Sequence, residues 1–96
     1  MVTFMHAGFH VDDYEAWKKG FDSSVLQRKM AGEVSYQVLR DTKDRSRLTV
    51  VSVLKTPALV SAFISSPTFE SVMKASGVTG MGEVLLMEEM DSGTHG

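Results

Sequence analysis

The 96-residue chain contains neither cysteine nor asparagine, and each absence excludes a kind of chemistry. Without cysteine the chain has no disulfide, no thiolate nucleophile and no cysteine-ligated metal. Without asparagine, any mechanism that depends on an Asn side chain is excluded. The chain also lacks an excess of positive charge, because 10 Lys and Arg residues stand against 12 Asp and Glu, for a formal net charge of −2. We therefore expect no nucleic-acid partner.

Long apolar runs are missing as well. No stretch approaches the ~18 residues that a membrane-spanning helix requires. The first residues also lack the positively charged segment and apolar core of a secretory signal. We therefore expect a cytoplasmic protein that does not associate with membranes.

Four strands are predicted from the pattern of apolar and β-prone residues, at 2–11, 34–40, 47–55 and 83–90. Gly77, Gly80 and Gly82 predict a flexible turn before the last of them. The residues after 90 are polar, and 91–96 are expected to form a frayed tail.

Two helices are predicted between the strands. Asp12 and Glu15 have the spacing of a capping box, which predicts a helix that begins at Asp12 and closes at Gly32. Its apolar face consists of Tyr14, Trp17, Phe21, Val25 and the stem of Arg28. We expect the Arg28 guanidinium to extend outward and to complement the helix dipole. Thr56 and Pro57 predict the start of the second helix.

The resulting order, β-α-β-β-α-β, is that of the ferredoxin-like α+β fold. We expect residues 1–96 to form one such domain, an antiparallel four-stranded sheet with two helices on one face. The other face should also be apolar, because Val51 and Val53 point away from Leu48 and Val50. Covering an apolar face of this kind stabilises a protein. The sequence therefore predicts a homodimer that forms through the sheet face.

His6 and His10 are the candidate proton-transfer residues. They lie four residues apart on the first predicted strand and face the same side. At ~3.3 Å per residue they are about 13 Å apart, too far to bind one metal ion, and no metal site is expected. Either imidazole titrates near neutral pH and is a candidate general acid or base. The alternative is a histidine that hydrogen-bonds at the subunit interface.

Aromatic and cationic residues give a second set of candidates. Tyr14 and Trp17 share the apolar face of the first predicted helix, where they either line a pocket for a planar ligand or pack in the core. Tyr36 and Arg40 share one face of the second strand. Arg40 either holds an anionic or enolate-like oxygen or pairs with Asp41, Asp44 or a carboxylate across the dimer.

Several of these residues fall in stretches that carry a family resemblance. The stretches and single residues are 11–22 (VDDYEAWKKGFD), Arg28, Gly32, 38–41 (VLRD), Asp44, Ala62, Phe63, Ser66, Pro67, Met73 and 75–80 (ASGVTG). With them the chain resembles the dimeric α+β barrel proteins. This group includes antibiotic-biosynthesis monooxygenase-like domains, muconolactone-isomerase-like proteins and small polyketide cyclases. The resemblance covers most of the chain.

The resemblance implies a pocket between the sheet and its helices for a small cyclic or aromatic molecule, with no cofactor. The candidate catalytic residues are then His10, His6, Tyr14 and Arg40, and the candidate ligand-binding residues are Trp17, Tyr36, Phe21 and Phe63. The quinone-forming and haem-degrading monooxygenases of the group use an asparagine, which this chain lacks. We therefore expect an isomerase or cyclase. The alternatives are a cofactor-independent monooxygenase and a non-catalytic ligand-binding or interaction module.

Overall fold

Antiparallel strands form one sheet in the computed structural model, which describes residues 3–55, 58, 61–62, 65, 67, 71, 73–74 and 77–96. Within that part of the chain the strands are β1 (Thr3–Val11), β2 (Glu33–Arg40), β3 (Arg47–Leu54) and β4 (Val78–Glu88). They lie in the order β2-β3-β1-β4. Together with the helices described next, this sheet confirms the predicted ferredoxin-like α+β fold.

Two helices follow β1, α1 (Tyr14–Ser23) and α2 (Val25–Met30). The N-cap of α1 is Asp13, whose side chain accepts a hydrogen bond from the Ala16 amide at 3.2 Å. The capping box predicted from Asp12 and Glu15 is therefore placed one residue too early, because Asp13 is the residue with extended backbone next to the helix. Gly32 has a φ of 97°, as predicted for the residue that closes the segment.

The predicted single helix is divided at Ser24. The Ser24 hydroxyl donates back to the Phe21 carbonyl at 2.8 Å, which competes with the regular helical hydrogen bonds. The division turns Val25 away from the apolar face, so that this residue is 44% exposed rather than buried as expected.

The core lies between α1 and one face of the sheet. Alternate residues of β1 and β3 point toward the helix and are buried. The buried cluster consists of Ala7, Phe9, Val11, Trp17, Phe21, Leu48 and Val50. The opposite sheet face has no described helix over it, and Leu85 remains 45% exposed there.

β4 begins five residues earlier than predicted, at Val78 instead of residue 83. Gly77 lies in the turn, with a φ of 75°, but Gly80 and Gly82 belong to the strand. Two residues of β4, Gly82 and Glu83, stand opposite the single residue Gly8 of β1, because Ala7 pairs with Val84 and Phe9 with Met81. This two-against-one arrangement is a β-bulge.

The predicted start of the second helix, Thr56 and Pro57, lies outside the described residues. Among the described residues between β3 and β4, Ala58, Ser61, Ala62, Met73 and Lys74 are helical. In the described part of the chain no helix is long and apolar enough to cross a membrane. Residues 89–96 have no regular secondary structure.

Candidate functional site

Aromatic rings form a continuous row along α1. Trp17 stacks on Phe21 with ring centroids 4.9 Å apart, and its centroid lies 6.2 Å from that of Phe9. Trp17 is only 1% exposed. This burial favours core packing, rather than ligand contact, as the role of the tryptophan ring.

Tyr14 and Arg40 meet at the N-terminal end of this row. The Arg40 guanidinium carbon lies 5.1 Å from the centre of the Tyr14 ring, within the range of a cation–π contact. Arg40 is exposed and forms no ion pair with any other described residue. A pairing of Arg40 with Asp41 or Asp44 is therefore not seen in the described part of the chain, and the pairing across the dimer stays a prediction.

Tyr36 lies on the same face of β2 as Arg40. Its ring meets Phe21 edge-on at 5.0 Å between centroids, and 43% of the residue is exposed. Part of the ring is thus open to a ligand, while the other part is fixed by packing against α1.

Lys18 lies near both tyrosines and was not predicted as a site residue. Its hydrogen bond to Asp22 raises the pKa of Lys18 above its usual value, and the nearby Tyr36 and Tyr14 hydroxyls act in the same direction. Lys18 is therefore a cation at neutral pH. The sequence contained a signal for this position, because residues four apart on a helix, such as Tyr14 and Lys18, have neighbouring side chains.

We call Tyr14, Lys18, Tyr36 and Arg40 the tyrosine–cation corner. The corner combines two cations with two phenolic hydroxyl groups beside partly open aromatic rings. Cations and hydroxyl donors stabilise a negatively charged oxygen, and ring faces accept a planar molecule. The arrangement is suited to binding the enolate or phenolate form of a small cyclic compound.

The predicted histidines lie on the other side of the sheet. His6 pairs with Val51 and His10 with Arg47, and these residues alternate with the buried ones that face α1. Tyr36, by contrast, pairs with buried Ser52 on the helix side. The sheet therefore separates His6 and His10 from the tyrosine–cation corner within one protomer, and the predicted catalytic set does not come together in one pocket.

His10 lies next to the loop that joins β2 to β3. The hydroxyl and amide of Ser46 donate to the Asp44 carboxylate and lower the pKa of Asp44, and the nearby His10 lowers it further. The amides of Asp44 and Lys43 donate to Asp41 and lower the pKa of Asp41 in the same way. Both carboxylates thus fix the loop beside His10.

Arg28 points inward instead of outward as predicted. It donates to Glu33 at 2.5 Å and to the Phe21 carbonyl at 2.9 Å, and its guanidinium lies 3.7 Å from the centre of the Phe21 ring. Glu33 also accepts a hydrogen bond from buried Ser52 at 3.1 Å. Arg28 therefore satisfies the C-terminal end of α1 and links it to the sheet, which is a structural role.

Two further predictions concern metal ions and Phe63. Within them, no group of three or more His, Asp or Glu side chains is placed to hold a metal ion. Phe63, the remaining predicted ligand-binding residue, lies outside the described residues.

Comparison with known proteins shows similarity to solved structures. No protein-family model and no curated protein sequence matches the chain. Among solved structures, a candidate antibiotic biosynthesis monooxygenase from Bordetella bronchiseptica is similar over 93% of this chain and 97% of its own, with a TM-score of 0.74 and 16% identity.

Two other structures are similar over nearly their whole lengths. SnoaB, a cofactor-independent oxygenase from Streptomyces nogalater, has a TM-score of 0.72 at 15% identity, over 95% of this chain and 94% of its own. Rv0793 from Mycobacterium tuberculosis has a TM-score of 0.68 at 15% identity, over 98% of this chain and 100% of its own. The predicted resemblance to antibiotic-biosynthesis monooxygenase-like proteins is therefore confirmed at the level of the fold.

Proposed function

We propose that the protein binds a small cyclic organic molecule as its enolate or phenolate at the tyrosine–cation corner. The observations that carry the proposal are that Arg40 lies 5.1 Å from the centre of the Tyr14 ring and that Lys18 is near enough to Tyr14 and Tyr36 for both to raise its pKa, while Tyr36 remains 43% exposed. The positive charge of Arg40, together with the Lys18 ammonium that is paired with Asp22, favours the ionised form of a bound hydroxyl compound, which lowers its pKa. The ionised ligand can then react without help from a cofactor.

Cofactor-independent oxygenation is the first candidate reaction, because SnoaB, which shares this fold, is described as such an oxygenase. The ionised substrate carries the electrons that reduce molecular oxygen. A CH2 group and O2 become a carbonyl group and water, so that one oxygen atom enters the product and the other leaves as water. The corner would hold the negative charge of the substrate while the new carbon–oxygen bond forms.

Isomerisation or cyclisation is the second candidate, and the absence of asparagine favours it. In this case the same enolate takes back its proton at another atom, or closes a ring, and no oxygen is consumed. Oxygen uptake therefore separates the two reactions, while both require the same stabilised anion.

The proposal also includes a homodimer formed through the sheet face that lacks a described helix. Phe4, Val51 and Val53 are only half-buried on that face, and Leu85 and Met87 are exposed. A second copy of the chain is an economical cover for these side chains, because each one removed from water adds to stability.

The experiment combines binding with oxygen uptake. A panel of naphthols and cyclic diketones is titrated against the wild-type protein and the variants Arg40→Gln and Tyr14→Phe. We expect affinity to fall about tenfold or more in Arg40→Gln, because a charge-assisted contact is lost, and less in Tyr14→Phe. An oxygen electrode then reports whether turnover consumes oxygen.

Arg45→Gln is the matched control, because Arg45 is an exposed arginine in the β2–β3 loop. Equal affinities for wild type, Arg40→Gln and Arg45→Gln would exclude the tyrosine–cation corner as the binding site.

A further inference from the structure

The sheet face opposite α1 contains a cleft that the proposed function does not use. The cleft has a volume of about 320 Å³, within the range of small-molecule sites. It is lined by two glycines, Gly8 and Gly82, and by polar residues that include His10, Arg47, Thr49 and Glu83. It is separated from the tyrosine–cation corner by the sheet itself.

The floor of the cleft is made by glycines. A Cβ placed at Gly82 would lie 3.5 Å from the Gly8 carbonyl oxygen, so the two backbones run close together with no side chain between them. Glycine in the interior of a strand weakens the strand and often marks a position that a ligand approaches closely. Neither glycine has a positive φ, so backbone conformation alone does not require glycine at these positions.

The β-bulge explains how a carboxylate reaches this floor. Val84 and Met81 pair with the buried residues Ala7 and Phe9, so regular alternation would place a single residue between them on the open face. The extra residue of the bulge instead lets Gly82 and Glu83 both line the cleft opposite Gly8. Bulges that redirect a side chain in this way are frequent next to functional sites.

The polar walls have unused hydrogen-bonding capacity. Arg47 and His10 are cross-strand neighbours at one end, and Thr49 lies opposite Gly8. In the part of the chain that the structure describes, the side chains of Arg47, Thr49 and Glu83 form no hydrogen bond or ion pair, and the histidine side chains form none either.

We propose that this cleft binds a small carboxylic acid that also carries a hydroxyl group. Arg47, with His10 beside it, receives the carboxylate, because a guanidinium matches a carboxylate with two parallel hydrogen bonds. Glu83 accepts the hydrogen bond of the ligand's hydroxyl group. The glycine floor leaves room for the ligand's carbon skeleton between these two polar ends.

The cleft and the proposed self-association surface adjoin on the same face, because His6, at the inner edge of the cleft, pairs with Val51 and Leu85. Phe4 pairs with Val53 and Met87 at the apolar end, whereas His10 pairs with Arg47 and Gly80 at the cleft end. A dimer centred on the apolar end would leave the cleft at the margin of the interface, where a ligand has access.

The test is an NMR titration of the full chain with 4-hydroxybenzoate as the probe. We expect saturable shifts of the Gly8 and Gly82 amide signals. 4-Hydroxybenzamide, which has the same shape without the charge, should bind about tenfold to a hundredfold more weakly. Benzoate, which lacks the hydroxyl group, should also bind more weakly. Absence of saturable shifts at both glycines, or equal binding of the acid and the amide, would overturn the proposal.

Two variants locate the site. Arg47→Gln should weaken probe binding about tenfold or more, while Arg45→Gln, the neighbouring arginine outside the cleft, should leave it unchanged. Gly82→Val should abolish binding, because the valine side chain fills the floor of the cleft. The strand should accept the added Cβ, which would meet only ordinary contacts with the Gly8 backbone. Equal probe binding by Arg47→Gln and Arg45→Gln would contradict the placement of the ligand in the cleft. This comparison does not depend on whether Gly82→Val folds. Neither variant alters the tyrosine–cation corner, so failure here leaves the proposed function standing.

Discussion

Arg28 shows how a single side chain connects several elements. Its guanidinium joins the end of α1 to Glu33 at the start of β2, and Glu33 in turn joins buried Ser52 of β3. The Arg28 and Glu33 side chains are only 11% and 10% exposed. Removing one member of such a pair leaves the other charge buried without its partner, which is costly.

We therefore predict that Arg28→Met destabilises the protein by about 3 kcal/mol, as is typical when one partner of a buried ion pair is removed. Urea unfolding followed by circular dichroism measures the change. Lys29→Met is the control, because Lys29 lies on the same helix and is exposed. Equal stabilities for the two variants would show that the buried contacts of Arg28 contribute nothing.

The residue-level predictions succeeded where burial follows from periodicity. Trp17 and Phe21 were placed on the inner face of α1, and both are buried there. The inward turn of Arg28 was missed, because an arginine on an apolar stripe can either extend to solvent or find a buried carboxylate. That carboxylate, Glu33, lies beyond the helix, and the helical repeat does not indicate it.

At the scale of elements, the start of α1 depends on one carboxylate. Asp13 caps the helix through its hydrogen bond with the Ala16 amide, whereas Asp12 is exposed and makes no described hydrogen bond. We predict that Asp13→Ala lowers the free energy of unfolding by about 1 kcal/mol. Asp12→Ala should change it far less. Thermal unfolding of the two variants would decide, and an equal loss in both would contradict the cap.

The β2–β3 loop should respond to acid. Hydrogen bonds from loop amides and from Ser46 lower the pKa values of Asp41 and Asp44 below the ordinary value of 3.8. A lowered pKa in the folded state means that the loop gains stability above pH 3.8 and loses it as the pH falls through the folded value. Amide signals of Lys43 and Asp44 should therefore titrate with midpoints below 3.8. In Ser46→Ala the Asp44 midpoint should rise, and unchanged midpoints would contradict this account.

Two features of the strands and helices, the start of β4 and the division at Ser24, were not predicted from the sequence, for physical reasons. The four strands were predicted in their order along the chain, but Gly80 and Gly82 were assigned to a turn, because glycine is permissive and its presence alone does not distinguish a turn from a bulged strand. The division at Ser24 was also missed. The apolar spacing continues across Ser24 and therefore predicts one unbroken helix. The break becomes evident only from the hydrogen bond that the Ser24 hydroxyl donates to the Phe21 carbonyl.

For the whole molecule, the apolar end of the uncovered sheet face should decide the oligomeric state. We predict that light scattering gives about twice the 10.5 kDa chain mass. Leu85→Arg should shift the protein to the monomer, because it places a charge in the proposed interface. Leu26→Arg is the control, because Leu26 is 64% exposed on α2. A wild-type monomer, or a Leu85→Arg dimer as stable as the control, would contradict the interface.

The site was less predictable than the fold, since it depends on which face of the sheet each strand presents. The alternation within β1 and within β2 was evident from the sequence. The registers that put Tyr36 on the helix side and His6 on the opposite side were not. One pocket for histidines and tyrosines was therefore expected, and the structure separates them.

The proposed function rests on the ability of the tyrosine–cation corner to stabilise a bound oxyanion. The most direct measurement is the pKa of 4-nitrophenol bound to the protein, read from the colour of its phenolate as the pH is varied. We predict that binding lowers the probe's pKa by about one unit, which corresponds to about 1.4 kcal/mol, and that Arg40→Gln reduces the shift while Arg45→Gln does not. A bound probe whose pKa is unchanged or raised would contradict the claim.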